Sequence, residues 1–214
     1  MVAAMDSGVG VVEPVMVGGK PQTAHSTSPP AKPTADVQIT EATLEDAHLI
    51  AAVGGQVFSA SFGHSVQAED LAAYLKAEYT AEAFEKELRN PKASTWIARD
   101  ARDGNALRGF VQLYRGVTDP CLKDAGDVAS LAQLHRLYVD TNVHGGGTGS
   151  RLITRAIDAA RAEGFRKIWL TVWEHNPRAE RLYSRFGFVR VAKTSFCVGN
   201  EKQWDWVMVK DLQE

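Results

Sequence analysis

The chain has 214 residues, of which 44% are hydrophobic and 23% are charged, a size and composition that suit one domain with a buried core. Its formal net charge of -2 excludes the strongly basic balance of proteins that bind nucleic acid or anionic membranes through overall charge, and no window of about 18 apolar residues predicts a membrane-spanning helix. The two cysteines, Cys121 and Cys197, are far apart and form no CxxC motif, which argues against a disulfide framework and a zinc cluster, so we expect no metal.

Residues 1–36 are predicted to be a disordered tail. They lack aromatic residues and apolar periodicity and are rich in Gly, Ser, Thr and Pro, so burial cannot offset the entropy lost on ordering. Their short apolar runs are interrupted by Asp6 and Glu13, unlike the core of a signal peptide, and no Arg indicates a transit peptide. Residues 37–214 are predicted to form a single domain, and we expect a cytoplasmic location, with the nucleus left open.

The first half of this domain predicts a short strand, three helices and a hairpin. Thr43, followed three residues later by Asp46, is a carboxylate version of the capping box, so we expect the first helix to begin there. Asn90-Pro91 ends the third helix, because the residue before a proline avoids helical angles. The predicted elements are a strand at 37–40, helices from 43, at 68–76 and at 80–88, and a hairpin of 94–98 with 107–114.

The second half alternates strands and helices after a long loop at 116–130. The predicted elements are strands at 132–140 and 167–173, helices at 147–163 and 177–186, and a final hairpin of 189–198 with 203–210. This order predicts an α/β (α+β) fold with a mixed, mostly antiparallel sheet of six to seven strands and helices on both faces. The tryptophans in these strands are expected in the core: Trp96, Trp169, Trp204 and Trp206.

A glycine-rich loop at 144–150 joins the strand at 132–140 to the helix that follows. Glycines let the backbone approach a ligand closely, and N–H groups converge at the start of a helix, where the dipole favours an anion. The loop therefore predicts a phosphate cradle; the alternative is a plain glycine-rich connection. It lacks the lysine of a P-loop, and Ser150 stands where a dinucleotide fingerprint needs its third glycine.

Two motifs follow neighbouring predicted strands. The first is His144-x-x-Gly147-x-Gly149, and the second runs from Asn176 to Phe188 as N-x-x-A-x-x-x-Y-x-x-x-G-F. Together they resemble the GCN5-related N-acetyltransferase (GNAT) family, which has Gln or Arg at the position of His144. The chain is also similar to a polyamine-acetylating subgroup in these runs: Asp70-Leu71-x-x-Tyr74-Leu75, Arg136-Leu137-Tyr138-Val139, Val172-Trp173-Glu174-x-Asn176 and Phe196-x-x-Gly199-x-x-x-x-x-Asp205.

The resemblance implies acetyl-CoA as co-substrate. Its pyrophosphate would lie on the loop residues His144, Gly145, Gly146, Gly147, Thr148, Gly149 and Ser150. Its pantetheine arm would add like a strand to the backbone of Leu137, Tyr138 and Val139, because the family splays the following strand away from this one. Asn176 matches a cofactor-contacting asparagine, and it is equally a good helix N-cap before Pro177.

The resemblance also implies direct acetyl transfer to an amine, with Tyr183 as general acid for the leaving thiolate; the alternative is a core tyrosine on an amphipathic helix. The general base stays open: Glu174, His135, His175 or a chain of water molecules could accept the proton, although Glu174 is more typical of a plain surface carboxylate. Simple alternation along the strand puts His135 and Leu137 on one face with Gln133, which as a glutamine cannot be the base.

These observations predict an acetyl-CoA-dependent N-acetyltransferase that acts on a primary amine of a small molecule, for example a polyamine. The alternatives are a protein N-terminal or lysine acetyltransferase and a non-catalytic acetyl-CoA-binding protein, and an intact Tyr183 argues against the last. We expect no nucleic-acid or membrane partner. The resemblance is compatible with a homodimer, which no feature of the sequence demonstrates.

Overall fold

The computed structural model describes residues 37–123, 126–140, 146–198 and 201–213, so the predicted N-terminal tail lies outside the described residues. The strands within them are β1 (Val37–Glu41), β2 (Ala93–Asp100), β3 (Ala106–Arg115), β4 (Leu131–Val139), β5 (Lys167–Trp173), β6 (Val189–Val198) and β7 (Glu201–Asp211). The helices are α1 (Ala47–Phe62), α2 (Ala68–Glu78), α3 (Ala81–Leu88), α4 (Thr148–Ala162) and α5 (Pro177–Arg185). None of these described helices combines the length and the apolarity needed to cross a membrane.

Local sequence signals determine several of these boundaries. The Thr43 backbone N–H donates to the Asp46 carboxylate at 2.8 Å, as the capping box predicts, but the box caps a short 3-10 turn, so α1 begins only after that turn. At α3 the Thr80 hydroxyl accepts a hydrogen bond from the Ala83 N–H at 3.1 Å. Gly164 adopts φ = +81° just after α4 and ends it.

All seven strands form one sheet in the order β1-β2-β3-β4-β5-β7-β6, antiparallel except for the parallel pair β4 and β5. Successive strand residues alternate between two apolar clusters. Trp96 and Ala98 belong to the cluster that holds α4 and α5, whereas Ile97 belongs to the one that holds α1 and α3. We call these two sides of the sheet the α4 face and the α1 face. The predicted mixed sheet with helices on both faces is confirmed.

A β-bulge interrupts β4 near its middle. Arg136 pairs with Gln112 of β3, while Leu134 pairs with the next β3 residue, Leu113. Two steps along β4 thus correspond to one step along β3, and His135 is the inserted residue.

The bulge changes which side chains of β4 share a face. Leu134 and Leu137 both lie in the core of the α4 face, although three positions separate them. The His135 ring instead contacts Tyr114, with 4.6 Å between ring centroids, and Tyr114 pairs with Gln133. His135 and Gln133 therefore lie on the α1 face, opposite Leu137. The prediction that these three residues share a face is wrong, because simple alternation does not allow for an inserted residue.

Candidate active site

β4 and β5 pair only at their first residues. The parallel ladder covers Leu131–Gln133 of β4 and Lys167–Trp169 of β5, and beyond these residues the two strands diverge. This is the splay that the family resemblance implies. On its other side β4 stays paired with β3 as far as Val139, which lies opposite Gly109. The gap between β4 and β5 is thus bordered by strand backbone that an extended ligand can join.

A glycine on β3 sets the position of β4 at this gap. A Cβ on Gly109 would lie 2.4 Å from the backbone oxygen of Tyr138, far inside contact distance. The close approach of the two strands therefore requires glycine at this position. The predicted backbone ligands Leu137, Tyr138 and Val139 are all buried here.

The described part of the glycine loop leads into α4 beside the gap. Gly147 has φ = +77°, a conformation that favours glycine, and immediately precedes the first helical residue. A Cβ on Gly149 would lie 3.5 Å from the Val139 side chain and 3.8 Å from Leu182 of α5. The start of α4, the end of β4 and α5 therefore meet at one point.

Hydrogen-bond donors collect at this start of α4. The first N–H groups of a helix have no partner within the helix, and the dipole makes this end positive. The Thr148 hydroxyl is buried there and makes no hydrogen bond with the described residues. These groups suit an anion such as a pyrophosphate. Gly146, Gly147, Gly149 and Ser150 adjoin this helix start, whereas the predicted ligands His144 and Gly145 lie outside the described residues.

Tyr183, the predicted general acid, lies on the buried side of α5. It packs in the cluster that also holds Leu137 of β4 and Val172 of β5. Its hydroxyl is buried and makes no hydrogen bond with the described residues, which is rare for a buried phenol. Burial raises the pKa of Tyr183 well above its usual value of 10.0, with a smaller contribution from Tyr138. The phenol is therefore protonated at physiological pH and has a proton to donate.

Asn176 is the N-cap of α5. Its side-chain oxygen accepts a hydrogen bond from the Ala179 N–H at 3.0 Å, and Pro177 occupies the first helical position. The capping alternative for this residue is confirmed. Its contact with a cofactor stays a prediction.

The two predicted bases have unequal surroundings. Glu174, just beyond β5, pairs with Lys193 at 2.6 Å, and this hydrogen bond holds the pKa of Glu174 below its usual value of 4.5. A carboxylate stabilised in this way is a weaker base. His135 is buried in the β4 bulge against Tyr114, on the α1 face. Both catalytic roles stay predictions.

The sequence analysis names Asp205 of β7 only within a run that resembles the polyamine-acetylating subgroup, and it does not predict that this carboxylate is buried. Asp205 pairs with Trp173 of β5 and Thr194 of β6, and neither of its side-chain oxygens makes a hydrogen bond with the described residues. Burial raises the pKa of Asp205 to about 7; the nearby Thr171 hydroxyl opposes the shift, and the negative charge of Glu174 adds to it. Asp205 thus titrates close to neutral pH, where both its protonated and its ionised form are accessible.

The signal that could have found Asp205 is the alternation Trp204-Asp205-Trp206. Trp206 packs against the core of the α4 face, so a period of two puts Asp205 on the α1 face. The same pattern puts Trp204 on the side of Trp206, where it is 42% exposed, beside Lys202. The expectation of a core position for Trp204 is therefore wrong, because this end of β7 extends past the helices that cover the sheet.

The connection between α1 and α2 lies over the α1 face beside Asp205. The Trp173 indole N–H donates to the Gln203 side chain at 3.0 Å, and the Gln203 amide donates to the Ser65 backbone oxygen at 3.5 Å. The His64 ring contacts Trp173, with 5.7 Å between ring centroids. These contacts close the site on this side.

The residues present fit a CoA thioester in three respects. They supply donors for an anion at the start of α4, a gap bordered by strand backbone, and a buried proton donor, Tyr183, that makes no hydrogen bond with the described residues. The described residues contain no group of three or more His, Cys, Asp or Glu side chains placed to hold a metal ion.

Comparison with known proteins gives relatives of one kind. Residues 60–188 match the model of the acetyltransferase (GNAT) family. An uncharacterized N-acetyltransferase of Mycobacterium tuberculosis is 30% identical over 169 residues, which cover 79% of this chain and 99% of the relative. The structure of Arabidopsis thaliana NAA60 in complex with acetyl-CoA has a TM-score of 0.65 at 17% identity, covering 83% of this chain and 99% of that one. Mutant forms of the spermidine/spermine N-acetyltransferase SpeG from Vibrio cholerae have a TM-score of 0.58 at 19% identity, covering 83% of this chain and 94% of that one.

Proposed function

Since this chain belongs to the GNAT acetyltransferase family and is an N-acetyltransferase, we propose that it transfers the acetyl group of acetyl-CoA to a primary amine of a small molecule of the polyamine class. The observation that carries the proposal is the gap between β4 and β5, with the Tyr183 hydroxyl, which makes no hydrogen bond with the described residues, in the core beside it. The predicted family resemblance is confirmed; the acceptor is the part that we propose.

Each group at the gap has a role in this proposal. Bound acetyl-CoA supplies the activated thioester. The first N–H groups of α4 hold the pyrophosphate, and the backbone of Leu137, Tyr138 and Val139 holds the extended arm. A backbone N–H near Leu137 polarises the acetyl carbonyl. Tyr183 is the proton donor for the leaving sulfur, because it is protonated and has no competing hydrogen bond among the described residues.

Two observations favour a small cationic acceptor over a peptide. The connection between α1 and α2 packs on Trp173 and Gln203 and closes the α1 face of the site, whereas a peptide needs an open groove. The buried carboxylate of Asp205 lies on that face and suits a cationic amine. The polyamine class agrees with the similarity of the fold to the spermidine/spermine enzyme of Vibrio cholerae.

The test is thiol release from acetyl-CoA with a panel of acceptors. The panel holds spermidine, spermine, simple diamines, amino acids, an aminoglycoside and a basic peptide. We expect turnover with the polyamines and none with the peptide. Turnover with the peptide alone would contradict the acceptor class and favour a protein acetyltransferase. Tight acetyl-CoA binding without turnover on any acceptor would contradict the catalytic proposal as a whole.

A further inference from the structure

A buried carboxylate needs compensation, because a charge removed from water is costly unless a cation or hydrogen-bond donors replace the water. Native proteins keep few such groups without a task. Asp205 has an exposure of 0%, and neither of its side-chain oxygens accepts a hydrogen bond from the described residues. This state suits a carboxylate whose partner is a cation that arrives with the substrate.

Two more buried polar groups lie on the same face, at the margins of the gap. Thr171 of β5 is two residues past Trp169, where the ladder with β4 ends, and Gln133 is the last β4 residue of that ladder. The Gln133 amide nitrogen is buried and makes no hydrogen bond with the described residues, and the buried Thr171 hydroxyl lies close enough to the Asp205 carboxylate to lower its pKa. Thr171 pairs with Val207, and Asp205 lies two residues away on β7. The three polar side chains therefore lie on one face of three adjacent strands, β4, β5 and β7.

We propose that Asp205 takes a proton from the ammonium group of the acceptor, which leaves the amine nitrogen with the lone pair that it needs for attack. This inference rests on the proposed function and deepens it. In this step an N–H bond of the ammonium breaks, an O–H bond forms on Asp205, and the proton later leaves to water; no oxidant or reductant is involved. Thr171 and Gln133 offer hydrogen bonds to the amine at the mouth of the gap.

The charges around Asp205 agree with this role. Its pKa of about 7 is higher than that of an ordinary carboxyl, so it accepts a proton more readily while it is still ionised in part of the molecules at neutral pH. Glu174, by contrast, forms an ion pair with Lys193 at 2.6 Å, which stabilises its ionised form. Other titratable groups that face this region from neighbouring described segments include Asp119, which accepts a hydrogen bond from the Thr194 hydroxyl at 3.1 Å, His64, His135 and His175.

The acceptor reaches Asp205 under the connection between α1 and α2. The contacts of this connection with β5 and β7 include a long hydrogen bond from Gln203 to Ser65, at 3.5 Å, and the ring contact between His64 and Trp173. A small amine needs to displace only contacts of this kind. A folded protein substrate would have to displace the whole connection.

The decisive variant is Asp205→Asn, which keeps the shape of the side chain and removes its charge. We expect kcat/KM for spermidine at pH 7 to fall by about 10²-fold or more. The ratio of wild-type to variant kcat/KM should fall by about tenfold or more between pH 7 and pH 10, because at pH 10 the acceptor forms free amine without a base. The control is Asp119→Asn, a nearby carboxylate beyond Thr194 whose capping role asparagine also performs. This control should keep the wild-type pH profile.

A second readout does not depend on turnover. Spermidine binding to the protein saturated with coenzyme A is measured by calorimetry in two buffers of different ionisation enthalpy. At pH 7 a cation that pairs with Asp205 should release a fraction of a proton per site, because a pKa of about 7 leaves part of these groups protonated before the cation binds. Asp205→Asn should bind with no such release, whereas His64→Gln and His135→Gln should keep it.

The outcomes separate this inference from the proposed function. If the wild type acetylates polyamines and Asp205→Asn stays within threefold of it at pH 7, Asp205 is not the proton acceptor, and the proposed function still holds. Proton release that persists in Asp205→Asn would also overturn the inference. If the wild type neither acetylates nor binds any amine, both the inference and the proposed function are overturned.

Discussion

The α4 face and the α1 face of the sheet contribute different chemistry to the site. On the α4 face the groups are mostly backbone: the start of α4, the end of β4 and one phenol, that of Tyr183. On the α1 face they are side chains from separate segments, with Gln133, Thr171 and Asp205 all buried. Backbone chemistry follows from local sequence, whereas a cluster of side chains exists only once the sheet has formed.

The two faces also differ in what the buried polar groups indicate. Tyr183 stays neutral when it is buried, so its hydroxyl, which makes no hydrogen bond with the described residues, costs about 1–3 kcal/mol, less than a buried charge, and is available to a ligand. Asp205 carries a charge in part of the molecules at neutral pH, so its burial is far more costly. Tyr183 therefore suits a neutral thioester, whereas Asp205 suits a cation.

The largest effect that we expect on the α4 face comes from Tyr183→Phe. Loss of the proton donor should lower kcat by about 10²- to 10⁴-fold, measured by thiol release at saturating acetyl-CoA. The same change removes a buried hydroxyl that has no partner among the described residues, so the free energy of unfolding should stay level or rise by about 1 kcal/mol. Unchanged turnover would show that Tyr183 is only a core residue.

Gly109→Ala tests the spacing of β3 and β4 behind the gap. The new Cβ would lie 2.4 Å from the Tyr138 backbone oxygen, so the strands must shift, and we expect a loss of about 1–3 kcal/mol in unfolding free energy with weaker acetyl-CoA binding. Chemical denaturation and a binding titration measure the two effects. Gly55→Ala in α1 is the matched control: its Cβ would meet nothing closer than 3.5 Å, so it should be neutral or slightly stabilising. Equal behaviour of the two variants would contradict this account.

Asn176→Ala separates capping from cofactor contact. Loss of the hydrogen bond to the Ala179 N–H should cost about 1 kcal/mol of unfolding free energy. Asn176→Ser keeps a capping oxygen and should retain most of the stability. If both variants weaken acetyl-CoA binding to the same extent, the amide also contacts the cofactor; if neither does, the residue is a cap alone.

The smallest effect is expected for Glu174→Gln. Its carboxylate is held by Lys193 and its pKa is lowered, so it has little capacity to take a proton from the acceptor. We expect kcat/KM for spermidine to change by less than about threefold across the pH range. A loss comparable to that of Asp205→Asn would make Glu174 the base and remove the contrast between the two carboxylates.

Much of the fold could be predicted because its signals are local. Helix starts at Thr80 and Asn176 are marked by capping residues, and β5 and β6 occupy the predicted ranges. The faces of the β4 side chains could not be predicted, because the inserted residue His135 is visible only in the pairing of β4 with β3. Trp204 was misplaced for a related reason: hydrophobic type alone does not say where the covering helices end.

The order of the elements, the glycine loop before α4 and the place of Tyr183 on α5 could all be predicted from the sequence. These are consequences of chain-local chemistry, in which glycine conformations, capping side chains and apolar periods act over a few residues. The divergence of β4 and β5 after Gln133 and the burial of Asp205 emerge only from the folded structure. Those facts depend on strand pairing between distant segments, because the pKa and the partners of a side chain are set by what folding brings around it.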